Sequence, residues 1–357
     1  MLLEADAALN SVHRIDLPRI VLVGWGVLGS LGKVFLELGL KRPLIVTGHT
    51  TLGIAGSRAE GHLRDLGLKP ELELCTEADL ETVERVREKA ESMGADTVVG
   101  VGGGRTIDVA KLSAGKSGAF FISVPTTASH DGIASNLASV KGLGRPYSMK
   151  ANPPIAVLAD SQIISESPFR FTASGCGDVI SKAVSVRDWR LAREEKNDYY
   201  GEYAGSLALL GSSLIMRNAE KIRGQTEEGY RTLLEALVSC GVSMSIAGSS
   251  RPCSGSAHLL SHALDMIAPG AALHGEQCGV GTIMMAKLHG LDWEKIRDSL
   301  AIIGAPTSAE GLGVDGETLV EALVKAGSIR PERYTILNKV NLTRESAGKL
   351  AESCGII

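Results

Sequence analysis

Three of the chain's eight histidines lie between positions 258 and 274, close enough together to suggest a metal site. His258 and His262 are four residues apart and would share one face of a helix, and His274 follows a predicted helix break. Asp178 lies upstream in a glycine-flanked segment, SGCGDVISK. A catalytic metal site needs three protein ligands and an open position, which Asp178 and two of these histidines would supply. A single helical histidine is more often a surface or core residue, but the clustering favours a metal, and these ligand types suit Zn²⁺ and Fe²⁺ alike.

A run of three glycines, Gly102–Gly104, could bind the phosphates of a nucleotide. It follows the strand-like run DTVVGV and precedes a predicted helix, so backbone N–H groups and the helix N-terminus would face a pyrophosphate. Arg105 and Thr106 could add donors, and Asp108 could cap the helix or bind substrate. A turn alone would not need three consecutive glycines, so we predict contact with phosphate.

A second glycine motif matches the dinucleotide-binding pattern more closely but lacks its acidic partner. The segment VLVGWGVLGS has the GxGxxG spacing at Gly24, Gly26 and Gly29. The carboxylate that should follow about 20 residues later, to bind a ribose hydroxyl, is missing, because the next strand-like run leads into Gly48–Thr51. We therefore interpret this motif as a tight turn between a strand and a helix.

The segment SVPTTASHDGIAS brings hydroxyl and carboxylate groups to the predicted end of another strand. Thr126, Thr127 and Ser129 offer hydrogen-bond donors, and Asp131 offers a carboxylate. Such residues are also common in loops that cap helices. Their concentration at the carboxyl end of a strand favours a role in ligand binding.

An alternating pattern of strands and helices would position these segments. Six short apolar runs recur between about residues 20 and 160, and amphipathic stretches separate most of them. The runs are IVLV (20–23), PLIVTG (43–48), LELC (72–75), DTVVGV (96–101), AFFISVP (119–125) and PIAVLAD (154–160). This alternation predicts a Rossmann-like α/β domain, with a parallel sheet and helices on both faces. The turn-rich segment KGLGRPYSMKANPP interrupts it as an irregular or hairpin insertion.

After about residue 165 the strand-like runs end, and segments with a period of 3.6 residues follow. We expect an α/β nucleotide-binding domain over residues 1–165 and an all-helical metal- and substrate-binding domain over residues 166–357. Ligands of such proteins bind at the carboxyl ends of the parallel strands, here facing the second domain.

Composition and charge exclude several other classes of protein. The net charge of -4 argues against nucleic acid or an anionic membrane as a partner, so an anionic substrate would need a local cationic pocket. The sequence has no run of about 18 apolar residues that would predict a membrane span, and Glu4 and Asp6 stand where a signal peptide would carry positive charge. The six cysteines form no CxxC pair, so we expect free thiols in a reducing cytoplasm.

Five segments resemble the glycerol-1-phosphate dehydrogenases, which share a superfamily with glycerol dehydrogenase, the iron-dependent alcohol dehydrogenases and dehydroquinate synthase. They are GGGRTIDVAK, VPTTASHDGIAS, SGCGDVISK, SSRPCSGSAHLLSHALD and LHGEQCGVG, within a likeness that runs from about residue 20 to 350. The resemblance implies that Asp178, His258 and His274 bind zinc, and that His262 contacts the substrate together with Asp131 and Asp178. With the glycines identified above, the residues predicted to hold a nicotinamide cofactor are Gly102, Gly103, Gly104, Arg105, Thr106, Ile107, Asp108, Thr126, Thr127, Ala128, Ser129 and Ser135.

The resemblance also implies an activity, the NAD(P)-dependent reduction of dihydroxyacetone phosphate to sn-glycerol 1-phosphate, the backbone of archaeal ether phospholipids. We expect a homo-oligomer. The alternatives are a glycerol or other polyol dehydrogenase, a cyclase similar to dehydroquinate synthase, and a non-catalytic nucleotide sensor, which the complete set of metal-ligand residues disfavours.

The substrate phosphate would need a cationic side chain, and Arg251 is the first candidate because it lies just ahead of the predicted helix of His258. Ser249, Ser250 and Ser254 in the same segment could add hydroxyl donors, or could merely cap the helix. Free N–H groups at the start of that helix would help to bind the phosphate. Arg251 could instead pair with a surface carboxylate. Arg145 and Lys150 are the other candidates.

Overall fold

The computed structural model describes His13 and residues 15–141 and 147–357. Its strands are β1 (Ile20–Gly24), β2 (Pro43–Thr47), β3 (Glu71–Leu74), β4 (Thr97–Gly102), β5 (Phe120–Pro125), β6 (Leu137–Val140), β7 (Tyr147–Lys150) and β8 (Ala156–Asp160). Six of them form one parallel sheet in the order β1-β8-β5-β4-β2-β3. These six are the six apolar runs, so the predicted parallel sheet is confirmed.

Helices cover both faces of this sheet, as the sequence predicts. They are α1 (Leu31–Leu38), α2 (His49–Thr51), α3 (Ser57–Arg64), α4 (Leu80–Ser92), α5 (Gly104–Ser117) and α6 (Ser161–Ser165). Successive side chains of a strand point to opposite faces. In β2, Ile45 therefore joins the core beneath α1 and α3, while Leu44 and Val46 join the core beneath α4 and α5.

The predicted insertion before the last strand is a hairpin, because β6 and β7 pair with each other in antiparallel register. Ala138 and Val140 of β6 are buried in the same core as the inner face of α5. The hairpin therefore packs beside the helix that follows the three glycines. Residues 142–146, which join its strands, lie outside the described part of the chain.

Beyond β8 the described chain is helical. The helices are α7 (Phe169–Ile180), α8 (Lys182–Lys196), α9 (Glu202–Arg217), α10 (Ala219–Arg223), α11 (Glu227–Ala247), α12 (Ser256–Ile267), α13 (His274–Leu288), α14 (Trp293–Ile303), α15 (Gly316–Ala326), α16 (Ile336–Val340) and α17 (Arg344–Ser353). Their core extends onto Val157 and Ala159 of β8, so apolar packing joins the helices to the sheet. No helix in the described ranges is both long and apolar enough to cross a membrane.

Candidate active site

A cavity of about 920 Å³, which we name the outer cavity, opens at the carboxyl ends of the parallel strands. The segments that follow β2, β4 and β5 contribute Gly48, His49, Thr50, Thr51, Gly103, Gly104, Arg105, Thr106, Thr126, Thr127 and Ser129 to its wall. Helical residues such as Ser174 and His274 close the opposite side. The cavity thus lies at the sheet edge where ligands of α/β proteins bind.

The three-glycine loop leaves the end of α5 open toward this cavity. Gly103 is the N-cap of α5, and no side chain caps the helix, so N–H groups of its first turn are available to a ligand. A Cβ atom at Gly104 would lie 2.1 Å from Nε2 of His130, so a side chain at that position would require the His130 ring to move. The buried Thr126 hydroxyl has no hydrogen-bond partner among the described residues. This combination fits the phosphates of a nucleotide.

The GxGxxG loop is already occupied by a carboxylate of the protein. Asp160, fully buried at the end of β8, accepts hydrogen bonds from Gly26 N–H through Oδ1 and from Leu28 N–H through Oδ2, both at 2.9 Å. A phosphate there would meet a negative charge instead of free donors. The motif is therefore a turn between β1 and the following helical segment.

Three of the predicted cofactor residues do not line the cavity: one makes a backbone hydrogen bond between the loops, and two pack in the apolar cores. The carbonyl of Gly102 accepts a hydrogen bond from Thr126 N–H at 3.0 Å, which joins the two predicted phosphate loops. Ile107 and Ala128 are fully buried in apolar cores. These positions hold the loops in place, and their neighbours face the cavity.

A fully buried lysine that the sequence analysis missed, Lys111, organises the loop around Asp131. Its ammonium donates to the carbonyls of Gly132 and Leu137 at 2.7 and 2.6 Å and lies 3.4 Å from the Ser135 hydroxyl. It also pairs with Asp108 at 3.3 Å. Asp108 lies in the second turn of α5 and Gly103 is the N-cap, which excludes the capping role that was one of two possibilities for Asp108.

A smaller cavity of about 270 Å³, the inner cavity, continues from the outer one toward the helices. Six predicted site residues line it: Asp108, Asp131, Ser135, His258, His262 and His274. His130 and His274 line both cavities and therefore mark their junction. A nucleotide in the outer cavity and a small substrate in the inner one would meet at this junction.

Side chains with metal-binding atoms converge beside the junction from α7, α12 and α13: Asp178, His258, His274 and Cys278. One ligand atom of each lies within 4.8 Å of the others. His258 Nε2 is 3.3 Å from Asp178 Oδ1, and the ring centroids of His258 and His274 are 5.0 Å apart. The buried Nδ1 atom of His258 has no hydrogen-bond partner among the described residues. Two imidazoles and a carboxylate in this arrangement fit a divalent metal ion.

A chain of hydrogen bonds indicates which nitrogen of His274 faces this cluster. His274 Nδ1 lies 2.9 Å from the hydroxyl of Ser261, which donates to Gln277 Oε1 at 2.5 Å. Because that hydroxyl proton is used, Ser261 accepts the Nδ1 proton and leaves a lone pair on Nε2. Gln277 donates in turn to Asp265 at 3.1 Å. This tautomer suits His274 as a metal ligand.

Lys182, also missed in the sequence analysis, is fully buried between the two acidic side chains of the site. Its Nζ lies 2.6 Å from Asp178 Oδ1 and 2.8 Å from Asp131 Oδ2. Burial alone would raise the pKa of Asp178, but Lys182 and His258 hold that pKa well below its usual value. Burial lowers the pKa of His258 to about 3. The carboxylate is thus ionised and the imidazole neutral, which are the protonation states of metal ligands.

Glycines allow the helices that carry these ligands to approach each other closely. A Cβ at Gly275 of α13 would lie 1.9 Å from the carbonyl oxygen of Ser174 in α7, and one at Gly177 would lie 2.2 Å from the carbonyl of Gly275. A Cβ at Gly175 would lie 1.9 Å from the carbonyl oxygen of Ala128 in the loop after β5. Backbone contact therefore sets the spacing of the metal-binding side chains and their distance from the outer cavity.

Replacing Cys278 by serine is expected to leave the metal bound. Cys278 lies one turn after His274, with its sulfur 3.6 Å from His274 Nε2, which makes it a geometric candidate for a fourth ligand. A fourth protein ligand would close the position that a catalytic metal keeps open for substrate. Metal content per chain after dialysis checks this expectation. Loss of the metal from the Cys278→Ser protein would show that the thiol is a ligand.

Arg251 pairs with a carboxylate of the protein, the alternative role considered for it in the sequence. Its guanidinium forms an ion pair with Asp198 and donates to the carbonyl of Tyr334 at 2.9 Å. The start of α12 is also engaged, because Asp188 accepts from Ser256 N–H at 2.6 Å. Arg251 and the N–H groups at this helix start are therefore not available to a phosphate as predicted, whereas Ser250 and Ser254 of the same segment line the inner cavity.

Of the other two cationic candidates for the substrate phosphate, the structure places only Lys150. Lys150 is exposed on β7 and lines neither cavity. Arg145 lies outside the described residues.

Comparison with known proteins agrees with this geometry. Residues 22–168 match the family model of iron-containing alcohol dehydrogenases. The chain is 52% identical to glycerol-1-phosphate dehydrogenase [NAD(P)+] of Methanosarcina acetivorans, over 98% of each chain. It is 51% identical to the enzyme of that name from Thermococcus kodakarensis, over 97% of this chain and 99% of the relative.

Solved structures share the fold at lower identity. A probable glycerol dehydrogenase from Sinorhizobium meliloti superposes with a TM-score of 0.78 at 24% identity, covering 96% of this chain and 98% of that one. The predicted architecture, a Rossmann-like sheet followed by a helical region, is thus that of glycerol dehydrogenase. At about half identity over nearly the whole length, the chain belongs to the glycerol-1-phosphate dehydrogenase family.

Proposed function

We propose that this protein reduces dihydroxyacetone phosphate to sn-glycerol 1-phosphate with NADH or NADPH, reversibly and with a bound zinc ion. The observation that carries the proposal is the meeting of the outer and inner cavities at His274, beside the cluster of Asp178 and His258. A hydride donor and a small carbonyl substrate could contact each other there. Relatives at about half identity bear the name of this activity.

Asp178, His258 and His274 would hold the metal. Their side chains supply one carboxylate and two neutral imidazoles at a buried position, and His258 Nε2 lies 3.3 Å from Asp178 Oδ1. When bound, the metal would polarise the C2 carbonyl of the substrate, and the reduced cofactor would supply the hydride. Zinc suits these ligands, and so does ferrous iron.

The remaining groups would orient the substrate and deliver its proton. His262 lines the inner cavity one helical turn from His258, where it could transfer a proton to the C2 oxygen. Asp131, fixed by its ion pair with Lys182 and by its N–H bond to Asp178, would accept a hydrogen bond from a substrate hydroxyl. The small volume of the inner cavity would exclude most of the water that competes for these contacts.

The cofactor would bind in the outer cavity, with its phosphates at the open end of α5. In this proposal the direct contacts come from Gly103, Gly104, Arg105, Thr106, Thr126, Thr127 and Ser129. Gly102, Ile107 and Ala128 support them from behind, and Asp108 and Ser135 lie next to Lys111 near the junction.

We further propose that the chain divides near residue 165, into a nucleotide-binding part and a part that binds metal and substrate. We also propose that it acts as a homo-oligomer in the cytoplasm. All six cysteines are buried and unpaired, which agrees with a reducing compartment.

Both NADH and NADPH are expected to serve, with kcat/KM values within about tenfold of each other, or ~1.4 kcal/mol. A strictly NAD-specific site places an acid after the second strand to repel a 2′-phosphate. Here Gly48, His49, Thr50 and Thr51 line the cavity after β2. Steady-state kinetics with each cofactor decide the point, and a preference for NADH of about 1000-fold would refute it. A Thr50→Glu variant should lose NADPH activity selectively.

The assay that tests the proposed function follows NADPH oxidation with dihydroxyacetone phosphate, before and after chelation of metal. We expect one NADPH oxidised per substrate consumed, loss of the activity with chelator, and recovery with Zn²⁺. Equal activity on unphosphorylated dihydroxyacetone would favour a polyol dehydrogenase. No net oxidation of NADPH would favour a cyclase or a sensor.

A further inference from the structure

The inner cavity is bordered by positive charge that the roles proposed above do not use. Arg333 lies between α15 and α16 and reaches the residues that precede α12. It donates to the carbonyl of Ser254 at 2.5 Å through Nη1 and to the hydroxyl of Ser250 at 2.7 Å through Nη2. Ser250 and Ser254 both line the inner cavity together with His262. The guanidinium therefore lies beside the cavity that holds the metal cluster.

Arg333 differs from its neighbour Arg251 in what balances its charge. Arg251 is paired with Asp198, whereas no described carboxylate forms an ion pair with Arg333, whose two acceptors are neutral. Burial, with repulsion from Arg330 and Arg251, lowers the pKa of Arg333 to about 9. The Arg333 guanidinium is still charged at neutral pH. An anion bound next to these arginines would stabilise it.

His262 provides a second, independent indication of a ligand. Its buried Nδ1 has no hydrogen-bond partner among the described residues, although the ring lines the inner cavity. A buried polar atom without a partner is unfavourable unless a ligand or water supplies one. His262 is one helical turn, about 5.4 Å along the axis, from His258. A ligand bound near His258 would therefore lie beside His262, which could hydrogen-bond to it.

A buried aspartate, Asp188, links the start of α12 to the start of α16. Asp188 accepts hydrogen bonds from Ser256 N–H at the start of α12 and from Ile336 N–H at the start of α16, at 2.6 and 2.8 Å. His289 Nε2 lies 3.0 Å from Oδ1 of the same aspartate. The helix that carries His258 and His262 is therefore tied to the segment that carries Arg333. The separation between the metal cluster and this cation is built into the fold.

We infer that Arg333, with the hydroxyl of Ser250 and the neighbouring Arg330, forms the pocket that binds the phosphate of a three-carbon phosphate ester. The Ser250 oxygen accepts from Arg333, so its own proton is available to a phosphate oxygen. A phosphate anchored there would direct the carbonyl end toward Asp178, His258 and His274. This inference rests on the proposed function and adds to it the residues that distinguish the phosphorylated substrate.

The test compares Arg333→Met with Arg251→Met on dihydroxyacetone phosphate and on dihydroxyacetone. For Arg333→Met we expect kcat/KM on the phosphate ester to fall about 100-fold, mainly through KM, because one partner of a buried charge pair is removed. The ratio between the two substrates should fall nearly as much. Arg251→Met should change both substrates by a similar factor. Inorganic phosphate should compete with the ester in the wild type and in Arg251→Met, but not in Arg333→Met.

Equal losses on both substrates in Arg333→Met, with phosphate inhibition retained, would overturn the phosphate pocket and leave the proposed function intact. A wild-type protein that does not reduce the ester would overturn both. If Arg333→Met fails to fold, Arg333→Lys replaces it, because lysine keeps the charge and loses the two-pronged geometry. We expect a loss of about tenfold on the ester alone, and an unchanged substrate ratio in that variant would contradict the inference.

Discussion

Replacing His258 or His274 by alanine is expected to remove the bound metal and to lower kcat/KM on dihydroxyacetone phosphate by at least about 1000-fold. Each side chain supplies one of three proposed ligands, and Asp178 with a single imidazole would hold a divalent ion weakly. Metal analysis of each purified variant and steady-state kinetics with added Zn²⁺ measure the two effects. A His258→Ala protein that reduced the substrate at the normal rate without bound metal would contradict the assignment of His258 as a ligand.

His262→Ala is the matched control for those variants, because His262 lies on the same helix one turn away. We expect it to keep the metal, since its ring is not part of the ligand cluster, and to lose turnover, since it borders the substrate space. Loss of metal from His262→Ala would mean that the ligand set is different. Native helix content by circular dichroism in all three variants would separate these effects from unfolding, since loss of a bound metal by itself lowers the melting temperature.

The second large effect is expected from Gly275→Ala, a change of one methyl group at the contact between α7 and α13. The new Cβ would lie 1.9 Å from the carbonyl oxygen of Ser174, and this neighbour is backbone that cannot rotate away. The helices would have to separate, at a cost of about 1–3 kcal/mol of folding free energy or more. Because Asp178 and His274 lie on opposite sides of this contact, metal affinity should fall as well.

Gly348→Ala in α17 provides the control, since a Cβ there meets nothing within 4 Å. Alanine favours the helix by roughly 0.5–1 kcal/mol over glycine, so this variant should be as stable as the wild type or slightly more stable. Chemical denaturation and metal titration of both proteins compare them. If Gly275→Ala matched Gly348→Ala in stability and metal content, close contact between the helices would not be what positions the ligands.

The sheet could be predicted from the sequence because its signals are local. β4 is a run of small and β-branched residues buried on both faces, and the glycines after it are needed where the chain turns into α5. His258, His262 and His274 were recognisable because they lie close together in the chain. The GxGxxG loop could be set aside for lack of a nearby acid, but the carboxylate that fills it, Asp160, lies far along the sequence.

The missed residues depend on contacts that no local pattern reveals. Lysines are almost always exposed, so a fully buried Lys182 or Lys111 is not expected from its neighbours in sequence. The spacing of Asp178 and Lys182, four residues apart, was the one available signal for that pair. Arg251 was preferred for the phosphate because it is close to His258 in the chain. Arg333 is remote in sequence, and only the packing of the segment before α16 brings it to Ser250 and Ser254, which line the inner cavity.

Identification of the product tests the central claim most directly. Protein loaded with Zn²⁺ would be incubated with NADPH and dihydroxyacetone phosphate, and the glycerol phosphate formed would be assigned to one enantiomer by stereospecific enzymatic oxidation or chiral separation. We predict sn-glycerol 1-phosphate alone, in an amount equal to the NADPH oxidised. Formation of sn-glycerol 3-phosphate, of a racemic mixture, or of no glycerol phosphate would contradict the proposed function.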